Sequence, residues 1–132
     1  MLFTTGDKFA AKFVVTQAVY DGFISVFKDE NPLHVDESFA MEHGFKGRVM
    51  HGNILNGFLS WFIGECLPVK NVIIHSQEIQ YKNPVYLNDN LSFDAQVTGV
   101  FESVDVIELK FSFKNADGLV VAKGKFQIGL IK

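Results

Sequence analysis

The stretch from Gly52 or Asn53 to about Leu67 constrains the fold of this chain most. Read as a helix, it spreads Ile54, Leu55, Phe58, Leu59, Phe62 and Ile63 over a broad arc. A helix apolar over that much of its surface belongs in an interior, not on an exposed face. Pro68 ends it. With Asn56, Gly57 and Trp61 inside it, the stretch is too short and too interrupted to span a membrane. The rest of the chain must therefore wrap it.

From Asn71 onward the pattern has a period of two. Val72 to Tyr81 reads as a strand, broken by Asn83-Pro84. Leu91, Phe93, Ala95 and Val97 mark a second. Ile107, Leu109, Phe111 and Phe113 mark a third, with Glu108, Lys110 and Ser112 facing the other way. Asn115-Ala116-Asp117-Gly118 is a hairpin turn, and Val120, Ala122, Gly124, Phe126, Ile128 and Leu130 form the last strand. Before the buried helix, Lys8 to Val15 alternates with Phe9, Ala11, Phe13 and Val15 on one face, which predicts another strand. Thr16 can cap a helix from Gln17 to about Phe27, with Val19, Phe23, Val26 and Phe27 on one side. Asp36 can cap a short helix from Glu37 to His43, closed by Gly44, and Phe45 to Arg48 reads as a loop. Periodicity alone thus gives an α+β fold. An antiparallel meander, coming after one buried helix, implies a sheet wrapped around that helix.

A chain of 132 residues is expected to be one domain, residues 1–132, with a proper core. Its fourteen Phe residues suit a packed core, an apolar tunnel or a buried dimer interface. The net charge is −3 and no basic cluster stands out, so nucleic acid is not an expected partner. The single cysteine, Cys66, has no partner for an intrachain disulfide. Glu65 beside it disfavours a thiolate nucleophile. Met1-Leu2-Phe3 leads into Thr4-Thr5-Gly6-Asp7 without a signal-peptide pattern, so a cytoplasmic location is expected.

Two polar islands interrupt this apolar chain. The first is Asp29-Glu30-Asn31-Pro32-Leu33-His34-Val35-Asp36. On a regular helix, a spacing of five takes Asp29 and His34 off a shared face. Pro32 disfavours helical geometry at Asn31, so the segment is expected to bend. A bend can bring a carboxylate and an imidazole to one water molecule, as a general acid–base pair. The plainer alternative is a capping Asp and a solvated His in a turn. Asn31 is expected to fix this loop by side-chain hydrogen bonds.

The second island, His51-Gly52-Asn53, opens the apolar helix. A helix start with Gly presents bare N–H groups to a developing negative charge, although Gly is also common there for steric reasons. The His51 ring is expected to be structural. Read as metal ligands, His34, Asp36, His43 and His51 contain no pair at the i, i+4 spacing of a zinc helix and have no Cys nearby, so no metal is expected.

The Asp29–Asp36 segment, followed in register by Arg48-Val49-Met50-His51-Gly52, resembles the MaoC-like (R)-specific enoyl-CoA hydratases and 3-hydroxyacyl dehydratases, which have a hot-dog fold. The likeness runs from Thr5-Gly6-Asp7 to the final strand. The chain departs from the family at Phe27-Lys28, where many members have Ser or Thr plus Gly. It departs again at Asn56-Gly57, where some carry a hydroxyl residue. The resemblance implies a hydro-lyase that reversibly hydrates a (2E)-enoyl thioester, with Asp29 and His34 holding the water and the Gly52 N–H binding the thioester oxygen. Asn31, His51 and Asn53 are then expected to lie against the substrate. It implies no metal or redox cofactor, a CoA or acyl-carrier-protein thioester as substrate, and a homodimer joined edge to edge. The rival enzyme is a hot-dog thioesterase, which carries a carboxylate near the N-terminus of the central helix. Here residues 53–64 contain no Asp or Glu, and Glu65 lies about 20 Å along the helix from Gly52. The non-enzymatic rival is an acyl-thioester-binding module.

Overall fold

Five strands and four helices build the chain in a computed structural model, which describes residues 2–132. Strand β1 (Lys8–Val14) leads into α1 (Gln17–Phe27), whose first turn is capped by the Thr16 hydroxyl, which accepts from the Val19 N–H at 3.2 Å. Two short helices come next, α2 (Pro32–Val35) and α3 (Glu37–Glu42), then the long helix α4 (Asn53–Glu65). Strands β2 (Val72–Tyr81), β3 (Asn90–Phe101), β4 (Val106–Lys114) and β5 (Val120–Leu130) complete the chain. The Asp36 carboxylate caps α3 through the Phe39 N–H, and Gly44 closes that segment in the left-handed region at φ +90°.

Two sequence expectations need correction. The bend expected across Asp29–His34 contains a full helical turn, Pro32–Val35. Pro32 does hold Asn31 out of the helical region, at φ −56°, ψ 137°. At the first helical position, however, proline's fixed φ favours a helix and its missing N–H costs nothing. The Asn31 side chain then caps the turn it precedes. The second correction concerns strand order, which is β1-β3-β4-β5-β2, all antiparallel. Only β3, β4 and β5 form a meander. Strand β2 lies outside β5, so the long last strands are interior and the free edges of the sheet are β1 and β2.

The chain between β2 and β3 explains that order. Lys82 and Asn83 hydrogen-bond the Val121 carbonyl, and Met50 donates to the Val85 carbonyl. Asn88 donates to the Val15 carbonyl, while Val15 donates to that of Asp89. Residues 82–89 thus cross one end of the sheet and tie β5, the entry to α4, and β1 together. Pro84 keeps this crossing segment from continuing β2.

The sheet curls around α4 as the apolar arc requires. Ile54, Leu55, Leu59, Phe62 and Ile63 are buried, against Phe93, Leu109, Phe113 and Phe126 from the inner sheet face. Phe62 lies 4.6 Å from Phe93 between ring centroids, and Phe13 of β1 stacks on Phe58 at 4.5 Å. Truncating Phe62, which is fully buried, would cost about 3–5 kcal/mol. The core therefore fixes α4, and the N-terminus of α4 opens at the sheet end crossed by residues 82–89.

Candidate active site

The first polar island is positioned from its backbone outward. Helix α1 ends at Lys28, which takes the left-handed conformation (φ 61°, ψ 20°) and turns the chain sharply. Asp29 comes next, its Oδ1 accepting from the Asn31 N–H at 3.2 Å. The Asn31 Oδ1 accepts from the Leu33 N–H at 3.0 Å, so its side chain is occupied in capping α2. Two bonds stitch α2 to the chain before α4: Val49 N–H donates to the Leu33 carbonyl at 3.0 Å, and His34 Nδ1 donates to the Val49 carbonyl at 2.7 Å. Fixing the Nδ1 proton in this way leaves Nε2 as the basic nitrogen.

A second layer supports that ring. The buried Tyr20 donates its hydroxyl to the His34 carbonyl at 2.6 Å. The Arg48 guanidinium lies over the Tyr20 ring at 5.0 Å and donates to its hydroxyl at 3.4 Å, while its Nε pairs with Glu37 at 3.4 Å. His51 is 3 % exposed and donates from Nε2 to the Asp29 main-chain carbonyl at 2.8 Å. Its ring stacks on His34 with centroids 4.0 Å apart and packs on Phe23 at 4.6 Å. His51 Nδ1 is buried without a hydrogen-bond partner.

The Asp29 carboxylate and the His34 and His51 imidazoles bring one donor atom each to within 4.8 Å of one another. That is the size of a site for one water molecule. The same atoms form a potential metal group, but the two imidazole planes are stacked at 30°. Lone pairs lie in the ring planes, so those of stacked rings run side by side and do not meet at one ion.

Gly52 stands directly beside this cluster as the N-cap of α4, with no side-chain cap. Among the described residues, its N–H has no protein acceptor. Its backbone angles, φ −58° and ψ −34°, suit any residue. Space is what requires glycine here. A Cβ at this position would come within 2.8 Å of Tyr81 Cε1 and 3.0 Å of its Cζ. The space on that side of Gly52 is filled by the Tyr81 ring. Asn53 starts the helix, and its Oδ1 accepts from Asn56 Nδ2 at 2.9 Å.

A cavity of about 520 Å³ joins Asp29, His34, His51, Gly52, Asn53 and Tyr81. Asn31 does not line it. Next to it, an apolar groove of about 720 Å³ runs between α1 and α4, past Phe23, Phe27 and Phe58, and shares Asp29 and Asn53 with the first cavity. Tyr20, Asn56 and Tyr81 were not singled out as site residues by the sequence. The only local signal for Tyr20 is a polar-tipped aromatic next to Val19 on an otherwise apolar helix face, and Tyr81 reads as one more strand aromatic.

Known proteins are similar to this chain in sequence and in fold. The family model of the MaoC like domain matches residues 4–114. An (R)-specific enoyl-CoA hydratase from Aeromonas caviae is 29 % identical over 108 residues, 82 % of this chain and 81 % of that protein. Another from Rhodospirillum rubrum is 32 % identical over 103 residues, 78 % of this chain and 71 % of that protein. The mitochondrial 3-hydroxyacyl-[acyl-carrier-protein] dehydratase of Arabidopsis thaliana is 29 % identical over 94 % of this chain and 75 % of its own. In structure, the A. caviae (R)-hydratase involved in PHA biosynthesis superimposes with a TM-score of 0.90 at 26 % identity, covering 98 % of both chains. The fold is therefore a hot dog, and the chain belongs to the MaoC-like hydratase and dehydratase family.

Proposed function

We propose that the protein reversibly hydrates a (2E)-enoyl thioester to the (R)-3-hydroxyacyl thioester. The observation that carries this reading is the convergence of the Asp29 carboxylate and His34 within 4.8 Å, beside the uncommitted Gly52 N–H. The His34 Nδ1–H is committed to the Val49 carbonyl, so Nε2 is free to receive a proton from water. As the water oxygen bonds to C3, the C2–C3 π pair moves toward the thioester and negative charge gathers on its oxygen. The Gly52 N–H, at the positive end of α4, faces that charge. The Asp29–His34 pair then returns a proton to C2 on the same face, and the enolate collapses to the saturated thioester. General acid–base and oxyanion terms would each supply roughly 10²–10⁴-fold. The thioester itself acidifies the C2 hydrogen, so the steps balance with water alone.

The groove between α1 and α4 suits the acyl chain, because it is apolar and begins at Asp29. The R configuration and the choice of thioester rest on the relatives: two are named as acting on enoyl-CoA and one on an acyl-carrier-protein substrate. A cytoplasmic enzyme accords with the lone exposed Cys66, and among the described residues no helix is long and apolar enough to cross a membrane. The thioesterase alternative lacks its carboxylate, since Asn53 to Gly64 includes no acidic residue.

Mixing the protein with crotonyl-CoA tests the reaction type. Loss of the conjugated-thioester absorbance without free thiol supports hydration. Thiol release with no hydroxyacyl product would instead identify a thioesterase.

A further inference from the structure

The Tyr81 phenol is one of the polar groups lining the cavity that the hydration steps do not use. Its ring lies against Gly52, close enough that only glycine leaves room for it. Its hydroxyl oxygen accepts a hydrogen bond from Asn56 Nδ2 at 3.0 Å. The other Nδ2 hydrogen of Asn56 is held by Asn53 Oδ1 at 2.9 Å, one turn earlier on α4. Asn56 is thereby fixed on the first turn of the helix, and it fixes the phenol in turn. With one oxygen lone pair taken by Asn56, the phenol proton must point elsewhere, and among the described residues it has no acceptor. Gly52 and the half-exposed Tyr81, in contact with each other, thus line the same cavity, and each carries an uncommitted donor.

We propose that the Tyr81 hydroxyl, oriented by Asn56, is a second hydrogen-bond donor to the thioester oxygen, acting beside the Gly52 N–H. The inference rests on the hydratase reading. Its chemistry is that of an oxyanion site: a donor set in place before the charge develops stabilises the enolate more than the ground-state carbonyl. The phenol is suited to this role because it keeps its proton. Burial raises its pKa above the ordinary 10.0, and the Asn56 hydrogen bond offsets this only in part. Asn56 is a positioning residue, since it reaches the reaction only through Tyr81.

The test uses Tyr81→Phe, which keeps the ring over Gly52 and removes only the hydroxyl, together with Asn56→Ala, the double variant and Asp29→Asn, all assayed as full-length protein on an enoyl-CoA. Tyr81→Phe should lower kcat by roughly 10²-fold with KM nearly unchanged, the size expected for one oxyanion donor. Asn56→Ala should also lower kcat, and the double variant should be no slower than Tyr81→Phe, because both changes break one chain of hydrogen bonds. The Tyr81→Phe defect should hold constant from pH 7 to about pH 9, where a phenol of raised pKa stays protonated. Wild-type kcat in Tyr81→Phe, or a rise in KM alone, overturns the inference. An inactive Asp29→Asn beside a fully active Tyr81→Phe overturns it while leaving the hydratase reading in place. A fully active Asp29→Asn overturns the hydratase reading itself.

Discussion

His51 donates from Nε2 to the main-chain carbonyl of Asp29 at 2.8 Å, while its ring stacks on His34 at 4.0 Å. One buried imidazole thus holds the backbone of the carboxylate and the face of the base. We predict that His51→Ala destabilises the fold by about 1–3 kcal/mol through the orphaned carbonyl and the lost packing, and also lowers turnover, because both groups lose a neighbour. Thermal denaturation and kinetics on the same preparation check this; a loss of stability with normal turnover would limit His51 to packing.

Tyr20 acts one step further out. Its hydroxyl donates to the His34 carbonyl at 2.6 Å and is braced by Arg48. Tyr20→Phe leaves the ring but removes both the bond to the His34 carbonyl and the longer one from Arg48, so a stability loss of about 0.5–1.5 kcal/mol per bond is expected. If the bond to the His34 carbonyl sets the position of α2, kcat should fall while KM changes little. Chemical denaturation gives the first quantity and steady-state kinetics the second.

Gly52 is required by the Tyr81 ring above it and not by its backbone angles. Gly52→Val should therefore push Tyr81 off Asn56 and lower kcat by roughly 10²-fold, the value of an oxyanion donor. Its α4 helix should survive, since the φ and ψ values are ordinary. Circular dichroism matching the wild type, with turnover intact, would contradict this account.

Strand β2 ends the sheet with an unpaired edge and exposes Ile73. An open edge of ten residues invites pairing with another chain. Half of the fourteen Phe residues are not fully buried. We predict a homodimer in dilute solution. Sedimentation should give twice the mass of the chain, and an active monomer at micromolar concentration would refute it.

Much of this molecule is legible in its sequence because periodicity survives burial. The arc from Ile54 to Ile63 and the alternation from Ile107 to Phe113 name the central helix and an inner sheet strand directly. Strand order is not legible in the same way. Nothing in Asn83-Pro84 says whether the chain turns back beside β2 or crosses the sheet, since the deciding bonds, such as Met50 to Val85, join distant residues. The site divides along the same line. Asp29, His34 and Gly52 stand out as polar breaks in an apolar chain. Tyr20 and Tyr81 do not, because a tyrosine on an apolar face looks like core until its hydroxyl is seen to have a partner. Asn31 shows the converse: its side chain is spent on capping α2, which a local turn motif can foretell.

The central claim is that Asp29 and His34 act on one water molecule. The most direct measurement is the hydration rate of purified, folded Asp29→Asn and His34→Ala with an enoyl-CoA. Both changes fall on exposed or half-buried side chains, so the fold should remain. The account predicts that each loses roughly 10²-fold or more in kcat, as expected for removing a general acid–base group. Near-normal turnover in either folded variant would contradict it.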